Sequence, residues 1–274
     1  MTSTTLLIFA AAGIFSGILA GFLGIGGGTV LVPLLVALGY KPVEAVATSS
    51  LAILITAISG SVQNWRMGLF SFNRVIAIGF PAIVTAQIGA YLATRFRPYL
   101  LLASFGLLLL LNIYLVELRK QLTAKKKLEE EQGIDAEAQQ LKTQHSNIFF
   151  NPNIARIFTG STAGILAGLF GVGGGVIMVP LQILLLGETI KVAIQTSLGV
   201  IVITAISACV GHALRGNVLF TEGFLLGAGG FLGAQISTRF LPKLPDEVVS
   251  LAFRTLLGIL SIYVFWQAWQ SYNS

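Results

Sequence analysis

GFLGIGGGTVLVPLLVALG, residues 21–39, returns as GLFGVGGGVIMVPLQILLLG, residues 168–187. Each copy sets a run of glycines between a helix-like apolar stretch and a short apolar segment holding one proline, Pro33 or Pro180. Three successive glycines break a helix, because glycine gives up the most backbone freedom on ordering. Packing alone would be served by alanine or serine, so a break written twice calls for another reason.

The likeness extends outward from the breaks. SGILAGFLGIGGGTVLVPL (16–34) lies over AGILAGLFGVGGGVIMVPL (163–181) at an offset of 147. ATSSLAILITAIS (47–59) lies over QTSLGVIVITAIS (195–207) at 148, and IGAYLATRF (88–96) over LGAQISTRF (232–240) at 144. Between them runs a segment dense in Lys, Glu and Gln. The expected organisation is a first transmembrane repeat at 1–118, a polar linker at 119–152 and a second transmembrane repeat at 153–274. The linker pairs Lys125/Glu129, Lys126/Glu130 and Lys127/Glu131 at i,i+4 in the less favourable order, so a surface helix there is weakly encoded.

Of 274 residues, 55% are hydrophobic and 10% charged, against about 25% charged in an ordinary soluble domain. Crossing a hydrocarbon core of about 30 Å takes roughly 20 helical residues. Expected spans are 6–23, 43–62, 72–93, 100–116, 154–170, 193–213, 223–238 and 248–269. The runs 29–38 and 176–186 are too short to cross alone and read as half-helices, re-entrant pieces or arms of broken helices. The fold class is an all-α polytopic membrane protein of two homologous repeats. Each repeat has four long transmembrane helices plus a short broken or re-entrant helix after its Gly-rich break. No Lys or Arg precedes the first span and no A-x-A site follows it, so that span is expected to stay.

The net charge of +6 comes mostly from residues beside spans or in the linker, which points to topology and not to nucleic acid. The single cysteine, Cys209, excludes a disulfide framework and a Cys/His metal cluster, and no cofactor or metal is expected. No Ser/His/Asp arrangement or carboxylate pair at a common depth is present, so the chain does not read as an enzyme. If the linker is cytoplasmic, the Arg66/Arg74 loop is too, and the Arg95/Arg97 loop is outside. Five crossings per half make the repeats inverted; four make them parallel. The charge tally leans to inversion and the shortness of the second runs to four crossings, and the sequence leaves both open.

Gly13, Gly17 and Gly21, and Gly160, Gly164 and Gly168, fall at spacing four and form a small-residue packing stripe. The breaks themselves lack the Lys-Ser/Thr of a Walker loop and the strand and acidic residue of a dinucleotide fingerprint. An intramembrane anion site fits better. Irregular backbone at membrane depth survives only where protein or a wet cavity surrounds it. The short helices would point their positive ends at an anion there, and matched breaks in two repeats mark a transporter's binding site. Pro33 and Pro180 fall past the first turn and would kink these helices.

The duplicated G-x-G-G-G-x-x-x-V-P-L segments, each followed by a Thr-Ser stretch and a span ending in a polar turn, resemble the sulfite exporter TauE/SafE family of small integral membrane transporters. The resemblance spans both halves and lacks only the linker. It implies a carrier of small sulfur-containing anions such as sulfite, sulfoacetate or related organosulfonates, built from two related halves; the expected mechanism is alternating access around a site at the two Gly-rich breaks. The expected partners are that anion and the lipid bilayer of a cell (inner or plasma) membrane, crossed many times; Arg119, Lys120, Lys125, Lys126 and Lys127 suggest that the linker is cytoplasmic. An anion channel and a non-transporting scaffold or sensor are the alternatives.

The candidate substrate-binding residues are the glycines of the breaks, Gly24, Gly26, Gly27 and Gly28 with Gly171, Gly173, Gly174 and Gly175. To them are added the hydroxyls of Thr48, Ser49, Thr196 and Ser197, with Gln195 beside the second pair where the first has Ala47. Asn64 aligns with His212 near the ends of the third spans, and His titrates near physiological pH. Arg254, a cation six residues into the span 248–269, is a possible pathway residue. Gln87 and Gln235, out of register in the fourth spans, are expected to bond helix to helix.

Overall fold

The computed structural model describes the backbone of residues 3–131 and 151–273, and among these every regular element is helical. In chain order they are α1 (Ser3–Leu23), α2 (Gly28–Ala37), α3 (Pro42–Arg66), α4 (Phe72–Ala93) and α5 (Pro98–Glu131), followed by α6 (Pro152–Phe170), α7 (Gly175–Leu186), α8 (Ile190–Ala213), α9 (Phe220–Phe240) and α10 (Asp246–Asn273). A 3-10 turn at Leu241–Lys243 joins the last two. Both halves of the chain therefore carry four long helices with a short one in second place. Helix α5 continues through residue 131 into the expected linker, whose residues 132–150 lie outside the described residues.

Local chemistry sets the helix starts. Pro42 and Pro152 occupy first-turn positions where a missing N–H costs nothing. The Glu44 carboxylate accepts from Lys41 N–H at 3.2 Å, and Asn151 Oδ1 from Asn153 N–H at 3.0 Å. Both short helices begin on a left-handed glycine, Gly27 at φ 80° and Gly174 at φ 77°, a conformation closed to other residues without strain.

By length and composition, six helices among the described residues suit a membrane crossing: Leu6–Leu23 of α1, α3, α4, Pro98–Leu115 of α5, α8, and Asp246–Tyr272 of α10. Two spans expected from sequence, in α6 and α9, are not among them. Helix α6 opens with Asn153 and Arg156, while α9 carries Glu222, Arg239 and many glycines that add length without apolar side chains. These two pack lengthwise on α4 and α1 and still expose Ile157 and Phe158, and Phe224 and Ile236, on their outer faces. The layering follows from burial. The apolar windows of α3 and α8 are 72% and 78% buried, against 33–39% for α1, α4, α5 and α10, so α3 and α8 form the interior. Phe80, Leu107 and Ile262 stand exposed on the outer helices.

Contacts between helices fix their directions. A Cβ on Gly13 would meet Leu226 and Gly229, on Gly17 Gly230, and on Gly21 Ser237 and Thr238, so α1 and α9 run parallel. Gly160, Gly164 and Gly168 meet Ile78, Ala82 and Ala86 in the same order, making α6 parallel to α4. Helix α3 follows α9, with Leu51 at Gly223 and Ile55 at Gly227, and α8 follows α4, with Ile203 at Gly79 and Ser207 at Gln87. Across the centre α3 and α8 are antiparallel: Ala47 and Leu51 cluster with Cys209, and Gly60 faces Leu198. Helices α1, α3 and α9 thus run one way and α4, α6 and α8 the other.

The two ends of the bundle differ in charge. At one end, the Tyr40 end, Tyr40 donates to Glu222 Oε1 at 3.4 Å and Lys41 pairs with Glu44 at 3.7 Å. Burial and the Glu222 charge together hold the Tyr40 phenol above its ordinary pKa. At the other, the Arg74 end, Arg74 pairs with Glu188 at 3.4 Å and Lys191 with Asp246 at 3.3 Å. Arg66, Arg156, Arg239 and Lys243 share the Arg74 end, and α5 leads to it toward Arg119, Lys120, Lys125, Lys126 and Lys127. The Tyr40 end has Lys41, Arg95, Arg97 and Arg215.

The fourth helices correct one sequence alignment. Gln87 Nε2 donates to Ser207 O at 2.6 Å and Gln235 Nε2 to Ser59 O at 3.2 Å. Ser207 Oγ in turn donates to Ile83 O and Ser59 Oγ to Phe231 O, both at 2.7 Å. Every partner is thus displaced by 148 positions, not the 144 of the IGAYLATRF match. That match is off by four residues, close to one helical turn, so it keeps the same face and hides the slip. The glutamines are in register and bond helix to helix as expected.

Close backbone approach at the stripes gives a direct test. A Cβ on Gly17 would lie 2.2 Å from Gly230 O, whereas one on Gly258 meets nothing within 4 Å. Gly17→Val should lower stability by roughly 1–3 kcal/mol or more through overpacking. Gly258→Ala should leave it unchanged or raise it by up to about 1 kcal/mol. Apparent Tm of the two purified variants in one detergent separates these outcomes.

Candidate functional site

Both breaks are built from left-handed glycines. Gly24, Gly26 and Gly27 have φ of 67°, 73° and 80°, and Gly171, Gly173 and Gly174 have 63°, 70° and 77°. Every residue of 24–29 and 171–176 is buried. The two breaks touch: a Cβ on Gly28 would lie 2.3 Å from Gly171 O, and one on Gly175 would lie 2.1 Å from Gly24 O. Gly26 and Gly173 both approach Ile53 and Ile201, each the twelfth residue of its helix. The breaks therefore meet at mid-height of α3 and α8. From there α2 runs out to the Tyr40 end and α7 to the Arg74 end, so both helices aim their positive N-termini at the centre.

Hydrogen bonding at the breaks is one-sided. Four carbonyls are covered by hydroxyls. Ser197 Oγ donates to Gly24 O at 2.7 Å, Ser49 Oγ to Gly171 O at 2.8 Å, Ser16 Oγ to Gly27 O at 3.1 Å and Thr204 Oγ1 to Gly173 O at 2.9 Å. Amides are not covered. Gly24 N–H donates to Ala20 O, and Val30 and Leu31 N–H donate to Gly27 O, but the amides of residues 25–29 donate to no described residue. In the second break Gly171 N–H reaches Ala167 O and Met178 N–H reaches Gly174 O, while those of residues 172–176 have no described acceptor. The Thr29 hydroxyl, fully buried in the first turn of α2, is also without a partner. Buried donors without acceptors are rare in folded proteins and mark a place where water or a ligand belongs. Four carbonyls are tied off, those of Ile25, Gly26 and Val172 have no described donor, and the amides left over outnumber them, so the surplus is of donors and favours an anionic ligand.

The candidate residues divide by position. Ser49 and Ser197 join the breaks, each reaching across from the other half of the chain, with its hydroxyl proton already given to carbonyls. Thr48 Oγ1 accepts from Leu219 N–H at 3.1 Å, away from the breaks. Gln195 and Thr196 lie buried in the second turn of α8, beside Ser197. Asn64 and His212, near the C-terminal ends of antiparallel α3 and α8, are brought to opposite ends of the bundle and not together. Both are fully buried. Asn64 has neither amide atom partnered, and His212 Nε2 lies 2.8 Å from Gly168 O. Arg254 is half-buried in the third turn of α10. Among the described residues no three His, Cys, Asp or Glu side chains gather to hold a metal.

Sequence reading did not find Ser16, Thr29 or Thr204. Their matched residues at offsets of 147 or 148 are Ala163, Val176 and Thr56, and Thr56 bonds its own helix at Ala52 O. Repeat matching favours residues that recur, so Ser16 and Thr29 escape it, while Thr204 recurs as Thr56 and only the tertiary contact to Gly173 O sets it apart.

A family model, sulfite exporter TauE/SafE, matches residues 9–264. The chain belongs to the sulfite exporter TauE/SafE family. It is 24% identical to the probable membrane transporter protein YunE of Bacillus subtilis over 95% of this chain and 97% of that one. A probable membrane transporter protein of Xylella fastidiosa (strain 9a5c) is 26% identical over 99% of both chains. The probable membrane transporter protein MJ0441 of Methanocaldococcus jannaschii is 25% identical over 92% of both. No solved structure matches. The sulfite exporter TauE/SafE family is one of membrane transporters, and with its apolar helices this chain is a multi-pass membrane protein.

The serine bonds can be tested in isolation. Ser49→Ala and Ser197→Ala each strand a buried carbonyl and should cost about 1–3 kcal/mol. Ser50→Ala removes only a bond to Val46 O of its own helix and should stay within about 0.5 kcal/mol of wild type. Thermal unfolding of the three variants in detergent gives the comparison.

Proposed function

We propose that the protein carries a small anion, sulfite or an organosulfonate, across a cell membrane by alternating access around the two glycine breaks. The observation that carries this reading is the surplus of buried, unpartnered amides where two helix N-termini converge. An oxyanion there would collect several N–H bonds without meeting a fixed positive charge. Neutral donors bind such a cargo firmly enough for selection and loosely enough for release.

In this reading the chain is two homologous repeats in inverted orientation, with α2 and α7 as re-entrant arms entering from opposite sides. Opposite directions of the matched helices and five elements per half support inversion over the parallel arrangement. The excess of Lys and Arg at the Arg74 end supports placing that end, and the linker, in the cytoplasm. Rocking of one repeat against the other about the breaks would expose the anion first to one end and then to the other. Ser49 and Ser197 act by shielding carbonyls that would otherwise repel the anion. Thr29 supplies a hydroxyl donor in the first break that Val176 cannot match in the second.

Purified protein in liposomes provides the test. Labelled sulfite or sulfoacetate should exchange across the membrane by saturable counterflow, and the same anions should raise the apparent Tm with the logarithm of their concentration. Gly27→Val and Gly174→Val, strained at φ near 80° and blocked by Ser16 and Ala163, should abolish exchange. Wild-type exchange in correctly inserted variants would remove the breaks from the mechanism. Flux that fails to saturate, or single-channel currents, would replace the carrier with a channel.

A further inference from the structure

Resting on the transport reading, we propose that His212 is the proton carrier of this protein, taking up a proton with each anion that passes on the Tyr40 side of the breaks. The geometry fixes the tautomer. Nε2 lies 2.8 Å from Gly168 O, and a carbonyl only accepts, so Nε2 bears the hydrogen. The neutral ring then presents Nδ1 as a lone pair, buried and without a described partner. A second proton has one place to go, and the N–H it creates has no acceptor in the surrounding protein. Such a buried imidazolium is unfavourable by itself. An anion alongside supplies both the missing acceptor and the opposite charge, so proton and anion each stabilise the other's presence. Uptake from water leaves Nδ1 protonated and donating to an anion oxygen; departure of the anion returns the proton to water.

Position suits the role. Gly168 stands one turn before Gly171 on α6, so the imidazole is moored to the helix that ends in the second break. At the opposite end of the bundle the matched residue is Asn64, whose amide donates but does not titrate. The titratable ring thus stands on one approach only, and the rocking that turns the anion from one end to the other turns the imidazole with it, so the proton leaves on the side where the anion leaves.

Neighbouring charges do not compete for the task. Helix α6 offers no titratable side chain in its last two turns. On α8 and its end are Cys209 and Arg215, the latter donating to Gly211 O and lying 5.7 Å from the Tyr91 ring. Helix α4 brings Gln87 and Tyr91, with Arg95 beyond it 5.2 Å from the same ring. The carboxylates of this end, Glu44 and Glu222, are engaged by Lys41 and Tyr40.

The experiment uses the full chain in liposomes containing the pH dye pyranine, with the membrane potential clamped. The probe is sulfoacetate, which is fully ionised near neutral pH, so any proton that moves is carried by the protein. Counterflow at equal pH first establishes transport; its absence in wild type sinks the transport reading itself. A sulfoacetate gradient should then shift pyranine in the direction of proton movement with the anion. In His212→Asn and His212→Gln the proton signal should vanish while anion movement falls by about tenfold or more, the loss of one charge-assisted hydrogen bond. Should both variants fail to insert, an inward acid gradient in wild type must still drive sulfoacetate accumulation. Counterflow without a proton signal in wild type, or a proton signal retained in either variant, overturns the assignment.

Discussion

A backbone amide that is buried must find an acceptor, and in this molecule a cluster of them does not. Residues 25–29 and 172–176 lie inside the bundle with their N–H groups directed at no described acceptor, while four nearby carbonyls are each covered by a hydroxyl. Such a surplus of donors favours a negative charge. It needs no lysine or arginine, and the dipoles of α2 and α7 add to it from opposite sides. Six left-handed glycines make it possible, because no other residue turns the chain so tightly while letting two backbones touch.

The surrounding architecture holds the breaks in place by exchange between halves. Helix α1 lies on α9 and α4 lies on α6, each through a glycine stripe that brings backbone against backbone. Neither half buries its own stripe, so the halves are interlocked before the breaks meet. Lipid gives no hydrophobic drive between helices, so such close van der Waals approach and the few interhelical bonds of Gln87, Gln235, Ser59 and Ser207 must supply specificity. The central α3 and α8 are screened from lipid and can carry polar residues there.

Departures from symmetry are where function would be tuned. Thr29 faces Val176 in the matched position, Ser16 faces Ala163, and Asn64 faces His212. Two breaks of similar shape are thereby given unequal surroundings, with an imidazole at one of two matched positions and an amide at the other. Membership of a transporter family and an all-helical multi-pass fold frame these differences, but each rests on a single side chain.

The glycine breaks, the helical membrane class, the short second helices and the interhelical use of Gln87 and Gln235 were all legible in sequence. Each is imposed by composition, length or a repeated local motif, which act along the chain. Other features waited on tertiary contacts. The direction of matched helices depends on which stripe meets which partner, and a match slipped by one turn looks the same in sequence. The roles of Ser49 and Ser197 depend on carbonyls more than 120 positions away. Asn64 and His212 align in sequence; antiparallel packing of α3 and α8 sends them to opposite ends. Local motifs determine where the backbone comes apart, and only the crossing of two halves decides what those loose amides face.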